Sequence, residues 1–313
     1  MFETPGANGG PRAMIPFQRE MTFEYGRPDQ VSPRIQRIVA NNPGPFTYLG
    51  TGTYLVGGDE VAVIDPGPLL DEHLAALMKA LEGRRLTHIL TTHTHADHSP
   101  LAHPLQELAG GAIVGRSSPP EPSSEGEADE VAFRPDVEVE DGQTIAGPGW
   151  TLQAIATPGH ASNHVCYALT EENALFCGDH IMGWSTTVIS PPDGDMGAYY
   201  ASLDKVQARG FDVLWPTHGP PVREVSPFID AYRDHRLRRE RQILKELTAG
   251  PRTIAELTPR LYAGIDKRLF PAARRSVWAH LIHMAAGGQI AVDGAATMEA
   301  SYRLPGLSDH TTI

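Results

Sequence analysis

Short apolar runs that end in sharp polar turns recur along this chain. Thr87-His88-Ile89-Leu90-Thr91 leads into Thr-His-Thr-His-Ala-Asp-His at 92–98. Ala154-Ile155-Ala156-Thr157 leads into Pro158-Gly159-His160, Leu175-Phe176-Cys177 into Gly178-Asp179, and Val213-Leu214-Trp215 into Pro216-Thr217-His218-Gly219. Each run predicts a buried strand that delivers a polar side chain at its end. Gly or Pro beside that residue permits the close backbone turn. Segments 47–56 and 61–64 predict a hairpin. Leu70, Leu74, Leu77, Met78 and Leu81 stand at helical spacing over 70–82, with Gly83 as a stop. A short helix is expected at 101–109, a strand at 112–114, an exposed Ser/Pro/Glu-rich loop at 117–130, strands and hairpins over 131–178, and a helix at 197–209. Residues 1–34 read as an irregular arm. Pattern alone gives an α/β protein.

The C-terminal part changes period. Phe228, Ile229, Tyr232, Leu237, Ile243, Leu244 and Leu247 recur at helical spacing up to Gly250-Pro251. Thr253-Ile254-Ala255-Glu256 has the form of a capping box. A further helix through 276–284, the Gly287-Gly288 turn and a short strand pair complete a winged-helix order. Leu237, Leu244 and Trp278 are expected in its core.

The polar ends of the apolar runs carry the candidate chemistry. His93, His95, Asp97 and His98 fall within six residues. A tight turn divides such a set, with the alternating His on one ion and Asp plus His on a second. Imidazole and carboxylate donors suit zinc better than calcium or magnesium. The bland alternative is a polar loop that happens to be rich in His. His160, Asp179 and His218, one at the end of each later run, weigh against it. Seven ligands suffice for two zinc ions with open positions for water. His164 and His180 are read as supporting or core histidines.

The order His-x-His-x-Asp-His, then His, then Asp, then His resembles the signature of the metallo-β-lactamase superfamily over roughly residues 46–222. The resemblance implies an αββα sandwich followed by a small, mostly helical winged-helix domain. It implies two Zn²⁺ per chain, with His93, His95 and His160 on the first, Asp97, His98 and His218 on the second, and Asp179 bridging both. Asp65, in Val63-Ile64-Asp65-Pro66-Gly67, matches the early strand-end Asp that supports the site from behind. The pattern departs from iron-binding redox members, which carry an acid where this chain has His95, and from mononuclear lactamases that lose ligands. With Tyr232-Arg233-Asp234-His235-Arg236 and Arg239-Glu240-Arg241, the likeness extends to the β-lactamase-like protein 2 subfamily over roughly 43–295. Divided accordingly, residues 1–34 form the arm, 35–224 the catalytic domain, 225–300 the winged-helix-like domain and 301–313 a tail.

Composition narrows the setting. At 313 residues there is room for two domains, and no run of 18 apolar residues predicts a membrane span. The first 20 residues do not read as a signal peptide. The two cysteines, Cys166 and Cys177, read as reduced thiols of a cytoplasmic protein. Charge is uneven: residues 232–290 carry 12 Lys+Arg and 5 Asp+Glu, a balance of +7 in a chain of −12, which leaves −19 elsewhere. A basic module can contact phosphates or be an ordinary solvated helix face.

These observations predict a hydrolase whose nucleophile is a metal-bridging hydroxide, with Asp97 as the catalytic residue that orients it and moves a proton. Such a site serves phosphodiesters, thioesters, esters, lactones and β-lactams almost equally. The expected substrate is therefore single-stranded RNA, as the subfamily resemblance implies, or a small thioester or ester. A β-lactam or lactone hydrolase and a metal-sensing DNA-binding regulator are the alternatives. The loop at 180–196 is expected to flank the cleft, and the winged helix to serve as nucleic-acid contact, cleft wall or homodimer contact.

Overall fold

The computed structural model describes residues 14–117, 133–266 and 269–306. Residues 1–13 of the arm, 118–130 of the expected loop and 307–313 of the tail lie outside the described residues. The first layer pair contains β1 (Asp29–Ser32), β2 (Ile35–Val39), β3 (Gly52–Gly57), β4 (Glu60–Ile64), α1 (Asp71–Ala80), β5 (Arg85–Leu90), α2 (Ala102–Ala109), β6 (Ala112–Gly115) and β7 (Val137–Glu138). Its strands follow chain order across one seven-stranded sheet, antiparallel from β1 to β4 and parallel from β4 to β7. The second pair contains β8 (Thr144–Gly147), β9 (Trp150–Ala156), β10 (Val165–Leu169), β11 (Ala174–Gly178), α3 (Met196–Gln207) and β12 (Val213–Pro216). Its sheet runs β12-β11-β10-β9-β8.

Burial on both faces explains the unbroken apolar runs. In β3, Tyr54 and Val56 face the space between the sheets with Ile64, Phe176 and Trp215, while Leu55 turns outward to Leu77 and Leu105 under α1 and α2. A strand covered on both sides has no polar face to alternate with. The helices start and stop as their sequences dictate. Asp71 and Glu72 in the first turn of α1 and Lys79 in its last suit the helix dipole. Asp195 caps α3 by accepting from the Ala198 N–H at 2.7 Å.

The C-terminal module consists of α4 (Val225–Leu247), β13 (Arg252–Thr253), α5 (Ile254–Leu261), α6 (Phe270–Ala286), β14 (Ala291–Val292) and β15 (Ser301–Arg303). The three strands pair in the order β13-β15-β14, and the capping box at Thr253 and Glu256 is formed. α4 spans two cores. Phe228, Ile229 and Tyr232 pack with Leu203 and Leu214, while Ile243 and Leu247 pack with Leu257, Val277 and Leu281. One continuous helix thus ties the module to the sandwich.

Several local expectations shift. Residues 29–32, read as part of an irregular arm, form an edge strand; it is short and polar, so its sequence gives no apolar alternation to detect. The first hairpin strand begins at Gly52, because 44–50 turn sharply, with Tyr48 at φ 57°. Leu237, Leu244 and Trp278 are half-buried, and the module's centre is Ile243, Leu247, Val277 and Leu281 instead. Both cysteines are buried and free. No described helix is long and apolar enough to cross a membrane.

Candidate metal centre

The site assembles where strand ends of both sheets meet. β5 delivers His93, His95, Asp97 and His98, the β9–β10 turn His160, β11 Asp179 and β12 His218. All seven sequence-predicted residues converge. They form three overlapping groups, His93/His95/His160, His93/His98/Asp179 and Asp97/His98/His218, with the donor atoms of each group within 4.8 Å of one another. His93 Nε2 lies 2.9 Å and His160 Nε2 3.2 Å from His95 Nδ1. His98 Nε2 is 3.6 Å from both Asp97 Oδ1 and Asp179 Oδ1. His218 Nε2 is 3.0 Å from Asp97 Oδ2 and 3.5 Å from Asp179 Oδ1. His160 Nε2 is 3.8 Å from Asp179 Oδ2. Asp179 therefore stands between the two triads.

Glycine makes two of the turns possible. Gly178 sits at φ 51°, and a Cβ there would come within 2.6 Å of His164 Nε2 and 2.7 Å of Thr92 Oγ1. Gly159, at φ 141°, lies so close to Tyr199 that a Cβ would meet its Cα at 2.5 Å. Larger residues would push Asp179 and His160 off their positions.

The outer nitrogens of the histidines are fixed from behind. Asp65, fully buried at φ 49°, accepts from the Thr92 N–H at 2.7 Å, from the Thr92 and Thr217 hydroxyls at 2.8 and 2.7 Å, and from His98 Nδ1 at 2.9 Å. Val188 O takes the Nδ1 proton of His160 at 2.6 Å, and Gly50 O that of His218 at 3.2 Å. Oxygen acceptors impose the Nδ1–H form, so Nε2 of all three turns its lone pair to the centre. His164 is not among the converging donors; it stacks on His93 and accepts the Asp179 N–H at 3.2 Å. His180 is buried against Tyr199.

Two elements of the site escaped sequence reasoning. The loop after β11 is held by α4: the Tyr232 hydroxyl accepts from Met182 N–H at 3.1 Å and donates to Met182 O at 2.7 Å, and Arg236 Nη2 donates to Thr187 O. Thr187 in turn donates to Asp179 O at 2.8 Å. Thr92 and Thr217, which orient Asp65, each directly precede a predicted ligand; that repeated Thr-His pair was the available signal.

The donor set fits divalent metal. Nitrogen ligands on a tetrahedral zinc stand about 3.3 Å apart, and the spacings above bracket that figure. His98 Nε2 and Asp179 Oδ1 are buried without a hydrogen-bond partner, although they face each other across 3.6 Å. Burial strongly favours the neutral form of His93, and neighbouring His98, His95 and His160 lower it further. For His98, burial opposes charge, but Asp97, Asp65 and Asp179 outweigh it and raise the pKa well above the usual value. His218 is raised against burial by Asp179 and Asp97. Burial opposes ionisation of Asp97 and Asp179 as well, yet His98 and His218 hold both below the carboxylate range. The carboxylates thus demand positive charge at the centre, which bound cations supply on displacing those protons.

Comparison with known proteins agrees. The model of the metallo-beta-lactamase superfamily matches residues 48–218, and that of the beta-lactamase associated winged helix domain matches 253–297. A beta-lactamase-like protein 2 homolog of Caenorhabditis elegans is 35% identical over 240 residues, 75% of this chain and 78% of that protein. An atrochrysone carboxyl ACP thioesterase of Aspergillus chevalieri is 35% identical over 227 residues, 70% of this chain and 67% of that protein. The fold is shared with a crystal structure of a beta-lactamase domain protein from Burkholderia ambifaria, at TM-score 0.77 and 18% identity over 91% of this chain and 95% of that one. It is shared as well with a metallo-beta-lactamase family protein from Thermus thermophilus, at TM-score 0.71 and 23% identity over 88% and 99%.

Proposed function

The chain belongs to the metallo-beta-lactamase superfamily, and on that premise we propose that it is a dinuclear zinc-dependent thioester hydrolase. The observation that carries the metal chemistry is the convergence of seven donors around buried atoms left without hydrogen bonds. His93, His95 and His160 would hold one ion, Asp97, His98 and His218 the other, and Asp179 both. Bound there, the pair would supply Lewis acidity and lower the pKa of a water toward roughly 7.

The residues of the chain divide the remaining work. Asp65 and the Val188 and Gly50 carbonyls keep lone pairs on the inner nitrogens. Asp97 and Asp179 differ in access: the Asp97 side chain is 26% exposed and that of Asp179 11%. Asp97 is therefore the carboxylate that solvent and substrate reach, and the proton transfer falls to it. The loop carrying Thr187 and Val188 walls the cluster, and α4 holds that loop. Residues 35–224 form the catalytic unit and 225–300 the module that braces it.

Thioesters are preferred as substrate because several relatives are named thioesterases and because part of the module's basic charge is turned inward. Arg236 and Arg239 are buried. Exposed Arg241 and Lys245 favour single-stranded RNA as the second reading. A panel on zinc-loaded protein separates the two: turnover of acyl thioesters with no cleavage of unstructured RNA is expected, and the reverse would replace the thioester reading. A gel shift with duplex DNA tests the regulator alternative and is expected to show no complex.

A further inference from the structure

The two triads of the metal cluster are braced by different parts of the chain. His98 and His218 lean on the sandwich itself: His98 Nδ1 lies 2.9 Å from Asp65, and His218 Nδ1 3.2 Å from Gly50 O. His160 and Asp179 lean on the loop that follows β11. Val188 O takes the Nδ1 proton of His160 at 2.6 Å, and Thr187 Oγ1 lies 2.8 Å from Asp179 O and 3.0 Å from His180 O. Farther along the same loop, Asp193 Oδ2 accepts from the Ser162 N–H at 3.0 Å, and the Asp195 N–H donates to Gly159 O at 2.9 Å. The turn that carries His160 is thus held before and after the histidine by one loop.

Between Gly178 and Met196 the chain forms neither helix nor strand, so the loop takes its shape from what it touches. Arg236 of α4, 3% exposed, donates through Nη2 to Thr187 O. Its guanidinium also lies 5.3 Å from the centre of the Tyr199 ring. Tyr199 donates its hydroxyl proton to His180 O at 2.8 Å, and its backbone packs against Gly159. One buried side chain therefore ties α4, α3 and the loop together at the residue beside Val188. Desolvating a guanidinium is costly, and a neutral side chain could satisfy a single carbonyl. The planar cation instead meets a carbonyl and an aromatic face at once.

We propose that Arg236 is a positioning residue for one of the two metal positions. Through Thr187 and Val188 it sets Asp179 and His160, so the C-terminal module governs the ion of His93, His95 and His160. The ion of Asp97, His98 and His218 depends on it little. The inference rests on the dinuclear reading above and adds an order to it: the sandwich fixes one position, and docking of α4 completes the other.

Stepwise chelator competition on the full chain, with bound zinc counted by mass spectrometry, reads the two affinities apart. The parent should hold two zinc ions. Arg236→Gln should weaken one of them about tenfold or more, as loss of a supporting contact does, and leave the other nearly unchanged. Arg236→Lys keeps a donor for Thr187 O and should recover part of the loss. Thr187→Val, close in shape and remote from the module's centre, should reproduce the loss even where Arg236→Gln folds poorly. In a His160→Ala background, Arg236→Gln should change the remaining affinity little, which identifies the ion concerned. Ile243→Val, at the module's centre on the same helix, should lower the unfolding midpoint and leave both affinities as they are. Hydrogen exchange of metal-free protein gives a second readout: residues 159–163 and 179–188 should exchange faster in Arg236→Gln, and 92–98 should not. A parent with two ions, both held as tightly in Arg236→Gln and Thr187→Val, would overturn the role of Arg236 and leave the dinuclear reading standing. Equal weakening of both ions, matched by Ile243→Val, would likewise overturn it, since general destabilisation would then account for the loss. A parent that holds one ion or none would overturn the dinuclear reading itself, and the proposed order with it.

Discussion

Asp65→Asn is a near-isosteric change at a fully buried residue. Asn tolerates the left-handed backbone at φ 49°, so conformational strain is not the perturbation. The loss is one of acceptors. Oδ1 faces the Thr92 N–H, which can only donate, and Oδ2 faces His98 Nδ1 together with the Thr92 and Thr217 hydroxyls. The hydroxyls can rotate and accept from an amide; the other two groups cannot adapt so simply. With the amide nitrogen toward His98, that ring must move its proton to Nε2 and lose the lone pair it turns to the cluster. Metal affinity should then fall about 10- to 100-fold, the usual cost of removing such a support. With the nitrogen toward Thr92, a buried N–H goes unsatisfied at about 1–3 kcal/mol. Chelator competition reports the first cost and urea unfolding of metal-free protein the second. Unchanged metal affinity together with unchanged stability would refute the role given to Asp65.

Asp179→Ala should abolish turnover and bound metal with little change in circular dichroism, whereas Asp97→Asn should keep some metal and lose several decades of rate; wild-type turnover by either would remove its assignment. Gly178→Ala should destabilise by at least about 1–2 kcal/mol for its left-handed backbone alone, with the His164 and Thr92 contacts adding to it, as read by urea unfolding. Thr253→Ala should cost about 1 kcal/mol through the lost cap, confined to the C-terminal module in hydrogen exchange. His73 is buried and hydrogen-bonded to Thr53, and burial lowers its pKa from 6.5 to about 4. Its folded form refuses a proton that the unfolded chain accepts, so its contribution is present above pH 6.5 and is lost at roughly 1.4 kcal/mol per pH unit between 6.5 and 4; His73→Gln should flatten that part of the stability profile.

The seven converging residues were legible because their signals are local. An apolar run, a Gly or Pro and a His or Asp lie within a few residues, and the strand geometry carries the rest. The capping box at Thr253 and the stop after α1 were legible for the same reason. What escaped depends on residues far apart in sequence. Thr217 reaches Asp65 across 152 positions, and Arg236 reaches Thr187 across 49. Arg239 illustrates the cost of reading charge as exposure: it stands in a basic stretch that suits a solvated helix face, yet it is buried with its guanidinium 4.0 Å from the centre of the Tyr262 ring. Local hydrophobicity cannot reveal a cation turned inward over an aromatic face.

The most direct test of the account is anomalous diffraction at the zinc edge from crystals of zinc-replete protein. Two peaks per chain are expected, one enclosed by His93, His95 and His160, the other by Asp97, His98 and His218, with Asp179 reaching both. A single peak, no peak, or scattering that appears only at the iron edge would contradict it.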